Sequence, residues 1–308
     1  MKKVILALVV IATALCGCSK DIPTGPHTGH VGEYPILFGY SDTRAVADLD
    51  SLKNHGFEVY AYIQGNAGST SFAKDVVYNA DNRVWAFESP EYWIPGVSYW
   101  FKAFYPQELT SGALSVVTPM TSDLHFKITN FDAINHQEDV MVASATATVP
   151  IGASHPENSS VVDLNFQHLL ACIDIQMKSA ISNITITSVT LVNADTNGTY
   201  DSSVNGGTWT AAATGNITFE PNVALNSSTT TSVTNGGFLV IPGNASGKAL
   251  SIVTNTGNTY NVDLPGMTWA KGNKYTYTAE IKQNNIVFSD PEVDEWDSEN
   301  ATGSVIIK

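Results

Sequence analysis

Apolar and polar residues alternate with a period of two along most of this chain. Residues 274–281 show it most clearly: Tyr275, Tyr277, Ala279 and Ile281 share one face, and Lys274, Thr276, Thr278 and Glu280 the other. Residues 57–63 repeat the pattern, with Phe57, Val59 and Ala61 set against Glu58, Tyr60 and Tyr62. So do residues 171–178, where Ala171, Ile173, Ile175 and Met177 oppose Cys172, Asp174, Gln176 and Lys178, which places Cys172 on the polar face. Between 98 and 105 both alternating sets are apolar, as in a strand covered on both faces. Further strands are predicted at 36–40, 76–78, 83–87, 124–128, 140–148, 161–166, 238–241, 249–253 and 260–264. The inward set changes parity near Ser188, which predicts a β-bulge, and Asn197-Gly198 and Asn205-Gly206-Gly207 predict hairpin turns. Helical spacing is confined to residues 45–55, with Leu49 and Leu52, a piece of two or three turns. Turn formers cluster at 150–160 and mark a boundary. The expected fold is all-β: two antiparallel β-sandwich domains, 34–155 and 156–308.

The N-terminus follows a different pattern. Lys2 and Lys3 precede an apolar run from Val4 to Leu15, the charged and hydrophobic regions of a secretory signal and too short for a membrane-spanning helix. Leu15-Cys16-Gly17-Cys18 resembles the lipobox of bacterial lipoproteins, so residues 1–17 are expected to be removed and Cys18 to carry the lipid. Residues 18–33, rich in Pro, Gly and polar side chains, read as a flexible tether. His27 and His30 have no third metal ligand beside them in sequence. With Cys16 cleaved off and Cys18 lipidated, Cys172 lacks an intramolecular partner, and the exported fold must stand without a disulfide.

Charge narrows the function. The formal net charge is −14, and losing Lys2 and Lys3 with the signal deepens it by two. Such a surface repels nucleic acid and anionic headgroups, which leaves the acyl chain as the membrane contact. No Gly-x-Ser-x-Gly elbow, phosphate-binding Gly-rich loop or zinc-binding His-Glu-x-x-His motif occurs, so no enzyme and no cofactor is expected. His136, Glu138 and Asp139 read as a solvated loop. The acidic run Asp290, Glu292, Asp294, Glu295, Asp297 and Glu299 lacks the turn glycine and spacing of a calcium loop, so no metal site is assigned. Aromatics are dense between 85 and 105. Tyr92 and Trp93 on the turn at 90–95 are the candidates for a sugar-stacking platform, with core packing the competing role.

Several pieces occur in a fixed order. They are the lipobox at Cys18, residues 36–40 followed by Thr43-Arg44, the run FEVYAY from Phe57, and Tyr92-Trp93 leading to FKAFYP at 101–106. After them come DVMVA at 139–143, residues 162–175 with FQHLLA from Phe166, GFLVIP at 237–242, and WAKG at 269–272 before Tyr275-Thr276-Tyr277. In this set the chain resembles the fimbrillin-like lipoprotein pilins of type V pili. The resemblance implies two transthyretin-like sandwiches, export to the outer membrane through the lipid anchor, and cleavage after an Arg that follows the first strand. The matching position is Arg44, with Ala45 as the new N-terminus. Physically, losing the first strand leaves unpaired N–H and C=O groups beside an apolar groove, which a strand from another subunit fills by β-augmentation. The expected partners are other pilin subunits, in a homo- or hetero-polymer, and a glycan or protein receptor. The chain would be a stalk or tip subunit of a cell-surface fimbria. Family stalk subunits donate from C-terminal strands; here Trp296 is followed by an acidic, Gly-containing segment and Val305-Ile306-Ile307-Lys308, which points toward a tip subunit. The alternative from another class is a monomeric surface lipoprotein that binds glycans through the aromatics near Trp93.

Overall fold

The structure, a computed structural model, describes residues 34–40, 49–65, 68–282, 285–296 and 305–306. In chain order the first strands are β1 (Leu37–Tyr40), β2 (Phe57–Gly65), β3 (Gly68–Asn79), β4 (Val84–Phe87), β5 (Val97–Tyr105), β6 (Ala113–Val116), β7 (Phe126–Asp132), β8 (Met141–Thr148), β9 (Val161–Leu164) and β10 (Gln167–His168). They are followed by β11 (Ala171–Ser179), β12 (Thr185–Asp201), β13 (Thr208–Phe219), β14 (Val223–Ala224), β15 (Thr231–Ser232), β16 (Phe238–Val240) and β17 (Gly243–Asn244). The last are β18 (Ala249–Thr254), β19 (Thr259–Asp263), β20 (Thr268–Trp269), β21 (Asn273–Lys282), β22 (Asn285–Phe288), β23 (Glu292–Glu295) and β24 (Val305–Ile306). The one helix among the described residues, α1 (Leu49–His55), buries Leu52 fully and ends at Gly56, whose φ of 64° lets its N–H return to the Leu52 carbonyl at 3.1 Å.

Eight strands form the first sheet, in the order β10-β8-β5-β2-β3-β4-β1-β9. A second sheet is built on β11 and β21, which run parallel, and a third on the long β12 with β7, β13, β14 and β18. Two hydrophobic cores result. One gathers Phe38, Phe57, Trp85, Phe87, Tyr99 and Phe101; the other gathers Phe104, Phe131, Ile173, Ile175, Phe238, Trp269 and Tyr277. Strand β5 serves both, Tyr99 and Phe101 facing the first core and Phe104 the second, which is why apolar residues occur in both of its alternating sets.

The sheets do not divide where the turn formers cluster. β6 and β7, from the first half of the chain, complete the sheet of β12, while β9 and β10, from beyond residue 155, complete the first sheet. The bulge near Ser188 is present as a register shift between Ile186 and Ser188 in the β12–β18 ladder. Residues 205–207 make the turn between β12 and β13, all three with positive φ. Asn197-Gly198 is not a turn but lies inside β12, where the ladder shifts register twice. Gly198 is needed there for another reason: a Cβ would sit 2.6 Å from the Thr210 carbonyl oxygen and 2.8 Å from Ile241 Cδ1. Cys172 is not on a polar surface. β11 is covered on both faces, so Cys172 is 2% exposed, its thiol donates to the Gly236 carbonyl at 3.2 Å, and burial pushes its pKa up to about 12.

Candidate functional site

The first strand is an inner strand. β1 pairs antiparallel with β4, Leu37 opposite Ala86 and Phe38 opposite Trp85. On its other side it pairs parallel with β9, from Leu37 opposite Val161 to Tyr40 opposite Leu164. Its leader is held as well: Ile36 N–H donates to the Glu91 carbonyl at 2.8 Å, Trp93 N–H donates to the Tyr34 carbonyl at 3.0 Å, and Pro35 bridges to Tyr92. Ile36, Leu37 and Phe38 are almost wholly buried, each contributing about 2 kcal/mol of apolar burial. Phe38 meets Phe87 and Phe101 edge to face, with ring centroids 5.1 and 5.4 Å apart. Gly39 is the close approach in this ladder, since a Cβ on it would lie 3.1 Å from Val161 Cγ1.

This site is strand-shaped and apolar. Removing β1 would leave the facing edges of β4 and β9 without partners over a floor of aromatic rings, the feature that recruits another strand. Arg44 and Ala45, the expected processing site, lie outside the described residues, as does Cys18. Arg44 and Ala45 fall within the eight-residue stretch between the end of β1 and the start of α1, and Cys18 lies upstream of β1.

Of the two roles open to Tyr92 and Trp93, sugar stacking and core packing, Trp93 takes the second. Trp93 is 4% exposed: its ring packs edge to face on Tyr99 at 4.8 Å and on Phe101 at 6.2 Å. Its indole N–H donates to the Ser160 carbonyl at 3.2 Å, so the polar end of the side chain is also engaged. Tyr92 is half-buried beside Pro35. The turn at 90–95 thus ties the leader of β1 to the approach to β9, because a large aromatic next to a strand end gains more by closing the core than by facing water.

Sequence reasoning passed over His168 and Trp296. His168 Nδ1 lies 2.6 Å from an oxygen of Asp139, and the Trp296 ring stacks on the imidazole with centroids 3.8 Å apart. Trp296 N–H donates to the Gly272 carbonyl, so this stack pins the end of β23. It also borders a cleft of about 440 Å³ with Lys102, His125 and Lys271 on its walls. The signal was thin: two aromatics 128 positions apart carry no shared pattern. Beyond Trp296, β24 pairs with β23, Glu292 opposite Ile306 and Val293 opposite Val305, so this part of the tail lies on the chain's own sheet. No cluster of three or more His, Cys, Asp or Glu side chains suited to a metal occurs among the described residues, and no helix among them is long and apolar enough to cross a membrane.

The fimbrillin-like family matches residues 43–296. The chain belongs to that family. Among solved structures, it is similar to a fimbrial protein from Bacteroides vulgatus, with 18% identity over 85% of this chain and 99% of the other and a TM-score of 0.60. A putative cell adhesion protein from Bacteroides uniformis gives 18% identity over 86% and 99%, with a TM-score of 0.57. One from Bacteroides ovatus gives 15% identity over 87% and 99%, with a TM-score of 0.58. At these identities the likeness is one of fold. Nothing matches among curated proteins.

Proposed function

We propose that this fimbrillin-like chain is a structural subunit of a cell-surface fimbria, exported as a lipoprotein on Cys18 and assembled by strand exchange once cleavage after Arg44 has released β1. Ala45 is then the mature N-terminus, and the lipid leaves with the excised piece. The observation that supports this most directly is the position of β1: the segment that a cut after Arg44 would sever is an inner strand of an eight-stranded sheet. An edge strand could be lost with little effect, but an inner one leaves two edges and an aromatic floor open at once. Other pilin subunits are the partners this supports, with the outer membrane a station before processing. The competing role of a monomeric glycan-binding lipoprotein loses its anchor, since the Trp93 ring is packed into the core.

Limited trypsin digestion of the lipoprotein, read by intact mass and by a denaturing gel run without boiling, tests the reading. A single early cut after Arg44, a resistant remainder and a ladder of oligomers are expected. Assembled fibres whose subunits still begin at Cys18 would sink it.

A further inference from the structure

Strand β9 stands at a fork. Residues 161–168 keep one unbroken alternation, with Val162, Leu164, Phe166 and His168 buried and Asp163, Asn165 and Gln167 exposed. Yet the two ends of this stretch have different partners. At one end β10 pairs antiparallel with β8, Gln167 opposite Val142 and His168 opposite Met141. At the other, β9 leaves β8 and pairs parallel with β1. From Ala143 to Thr148, β8 therefore has no ladder partner on that side among the described residues, and β9 has none on its outer side. Between the two edges lies a cleft of about 660 Å³, lined by Ser144, Thr146 and Thr148 of β8 and by Val161, Val162 and Asp163 of β9.

The two open edges match each other. Every step around the sheet from β8 to β1 is antiparallel and the last, from β1 to β9, is parallel, so β9 runs antiparallel to β8. Continuing the β8–β10 register sets Phe166 opposite Ala143, Leu164 opposite Ala145 and Val162 opposite Ala147, with Asp163 opposite Thr146. Each of these pairs keeps its pleat: Leu164 and Val162 would face inward with Ala145 and Ala147, while Asp163 and Thr146 are both exposed. The small alanines leave room for the larger partners. What holds β9 away from β8 is β1 itself, together with Trp93, which joins the Tyr34 carbonyl to the Ser160 carbonyl.

We propose that loss of β1 sends β9 across the cleft to zip onto β8. The acceptor surface is then the antiparallel edge of β4 alone, over a trough two strands wide in place of a one-strand slot between β4 and β9. The donor is an extended segment of another subunit that pairs antiparallel with β4. This rests on the strand-exchange reading above and fixes which edge of the sheet that exchange uses. The zipped state also closes the β8 edge, which would otherwise invite pairing along the wrong strand. Once β1 is gone β9 has lost its ladder partner, so pairing with β8 satisfies backbone N–H and C=O groups on both strands, which favours the move.

The test uses the full-length chain carrying Thr146→Cys and Asp163→Cys, with a specific-protease site in place of residues 41–44, so that β1 is freed whether or not Arg44 is the natural cut. After cleavage and release of β1 in mild denaturant, refolding and mild oxidation, peptide mapping by mass spectrometry reads the 146–163 disulfide. Paired strands bring opposite Cα atoms to about 4.5–5.5 Å, within disulfide reach. The expected result is at least a tenfold rise in that cross-link on loss of β1. A second variant, Val142→Cys with Gln167→Cys, lies in the register already formed and is expected to cross-link to the same extent before and after. If this control cross-links in both states and the mass shows β1 gone, yet 146–163 does not form, β9 has stayed in place and the proposal is overturned. Equal 146–163 cross-linking with β1 present overturns it as well. Neither result touches the cut after Arg44, which the trypsin experiment on the natural sequence addresses separately.

Discussion

Among the described residues, the first and second sheets each hold one parallel strand pair in otherwise antiparallel surroundings, and the two pairs are built to different specifications. In the second sheet, β11 and β21 run side by side for eight residue pairs, from Cys172 opposite Lys274 to Ser179 opposite Ile281. In the first sheet, β1 and β9 match over only four. Both strands of the longer pair come from the interior of the sequence, and a buried carboxylate sits on it: Asp174 of β11 accepts from Ser232 Oγ and Thr234 Oγ1 on the side away from β21, each at 2.7 Å, and Lys274 Nζ of β21 faces it across the pair at 3.5 Å. In the shorter pair the carboxylate, Asp163, faces solvent, and β1 is the first described strand of the chain. Apolar side chains hold β1, and one cut after it would end its covalent link to the rest of the sheet. On the strand-exchange reading proposed above, the same local geometry serves as a permanent joint when it is long and carries a polar anchor, and as a releasable one when it is short and held by apolar side chains.

The largest effect that would break this comparison comes from emptying the apolar anchor on each side. Phe38→Ala removes a fully buried ring packed on Phe87 and Phe101 and is expected to cost the intact chain about 3–5 kcal/mol. Ile175→Ala, inside β11, is expected to cost about 2–5 kcal/mol. Denaturant unfolding before and after release of β1 separates them. The Phe38 penalty should vanish once β1 is gone, while the Ile175 penalty should persist. A Phe38→Ala effect that survives the loss of its own strand would mean that β1 never left.

Much of this contrast was legible in the residues. Alternation located β2, β11 and β21 nearly to their ends, because a period of two is written into the chain by each strand's buried set, and the strands expected at 98–105 and 140–148 match β5 and β8. The strand at 36–40 and the basic residue after it were also visible. What stayed hidden was pairing. Nothing local says that residues 161–168 divide their ladder between β1 and β8, since the alternation is the same whichever neighbour they choose. Cys172 was misplaced for a related reason: a period of two marks one buried face but is silent when turns from elsewhere, here at Gly236 and Gly237, cover the other. The Trp93 ambiguity was likewise settled only by the neighbours that enclose it.

Acid sharpens the comparison from the permanent side. Burial by itself would raise the Asp174 pKa, but the hydroxyls of Ser232 and Thr234, with Lys274, outweigh it and hold the carboxyl below its usual range. A depressed carboxylate contributes stability that is fully present above its unfolded value, near 3.9, and is lost as pH falls through the folded one. Stability of the β11–β21 half should thus drop most steeply below about pH 4. Asp174→Asn is expected to lower stability at neutral pH by about 1–3 kcal/mol and to flatten that acid-side slope. Unfolding midpoints between pH 7 and 3 read both. An unchanged slope in the variant would show that another carboxylate controls it.

The smallest effect probes the releasable joint at its closest approach. Gly39→Ala would set a methyl 3.1 Å from Val161 Cγ1 and 3.5 Å from Asp163 Oδ1, so β1 and β9 must part by a few tenths of an ångström. Against this stands the stabilisation, about 0.4–1 kcal/mol, that Gly→Ala gives by narrowing the unfolded ensemble. The net change in the intact chain is expected to be under about 1 kcal/mol, too small to interpret alone. A double-mutant cycle removes the ambiguity, because the unfolded-state contribution of Gly39→Ala is common to both of its arms. Val161→Ala takes away the methyl that the new one meets, and the pair should then be more stable than the two single changes predict by about 0.5 kcal/mol or more. Additivity would place β9 beyond reach of Gly39 and remove the contact on which the parallel register of β1 depends.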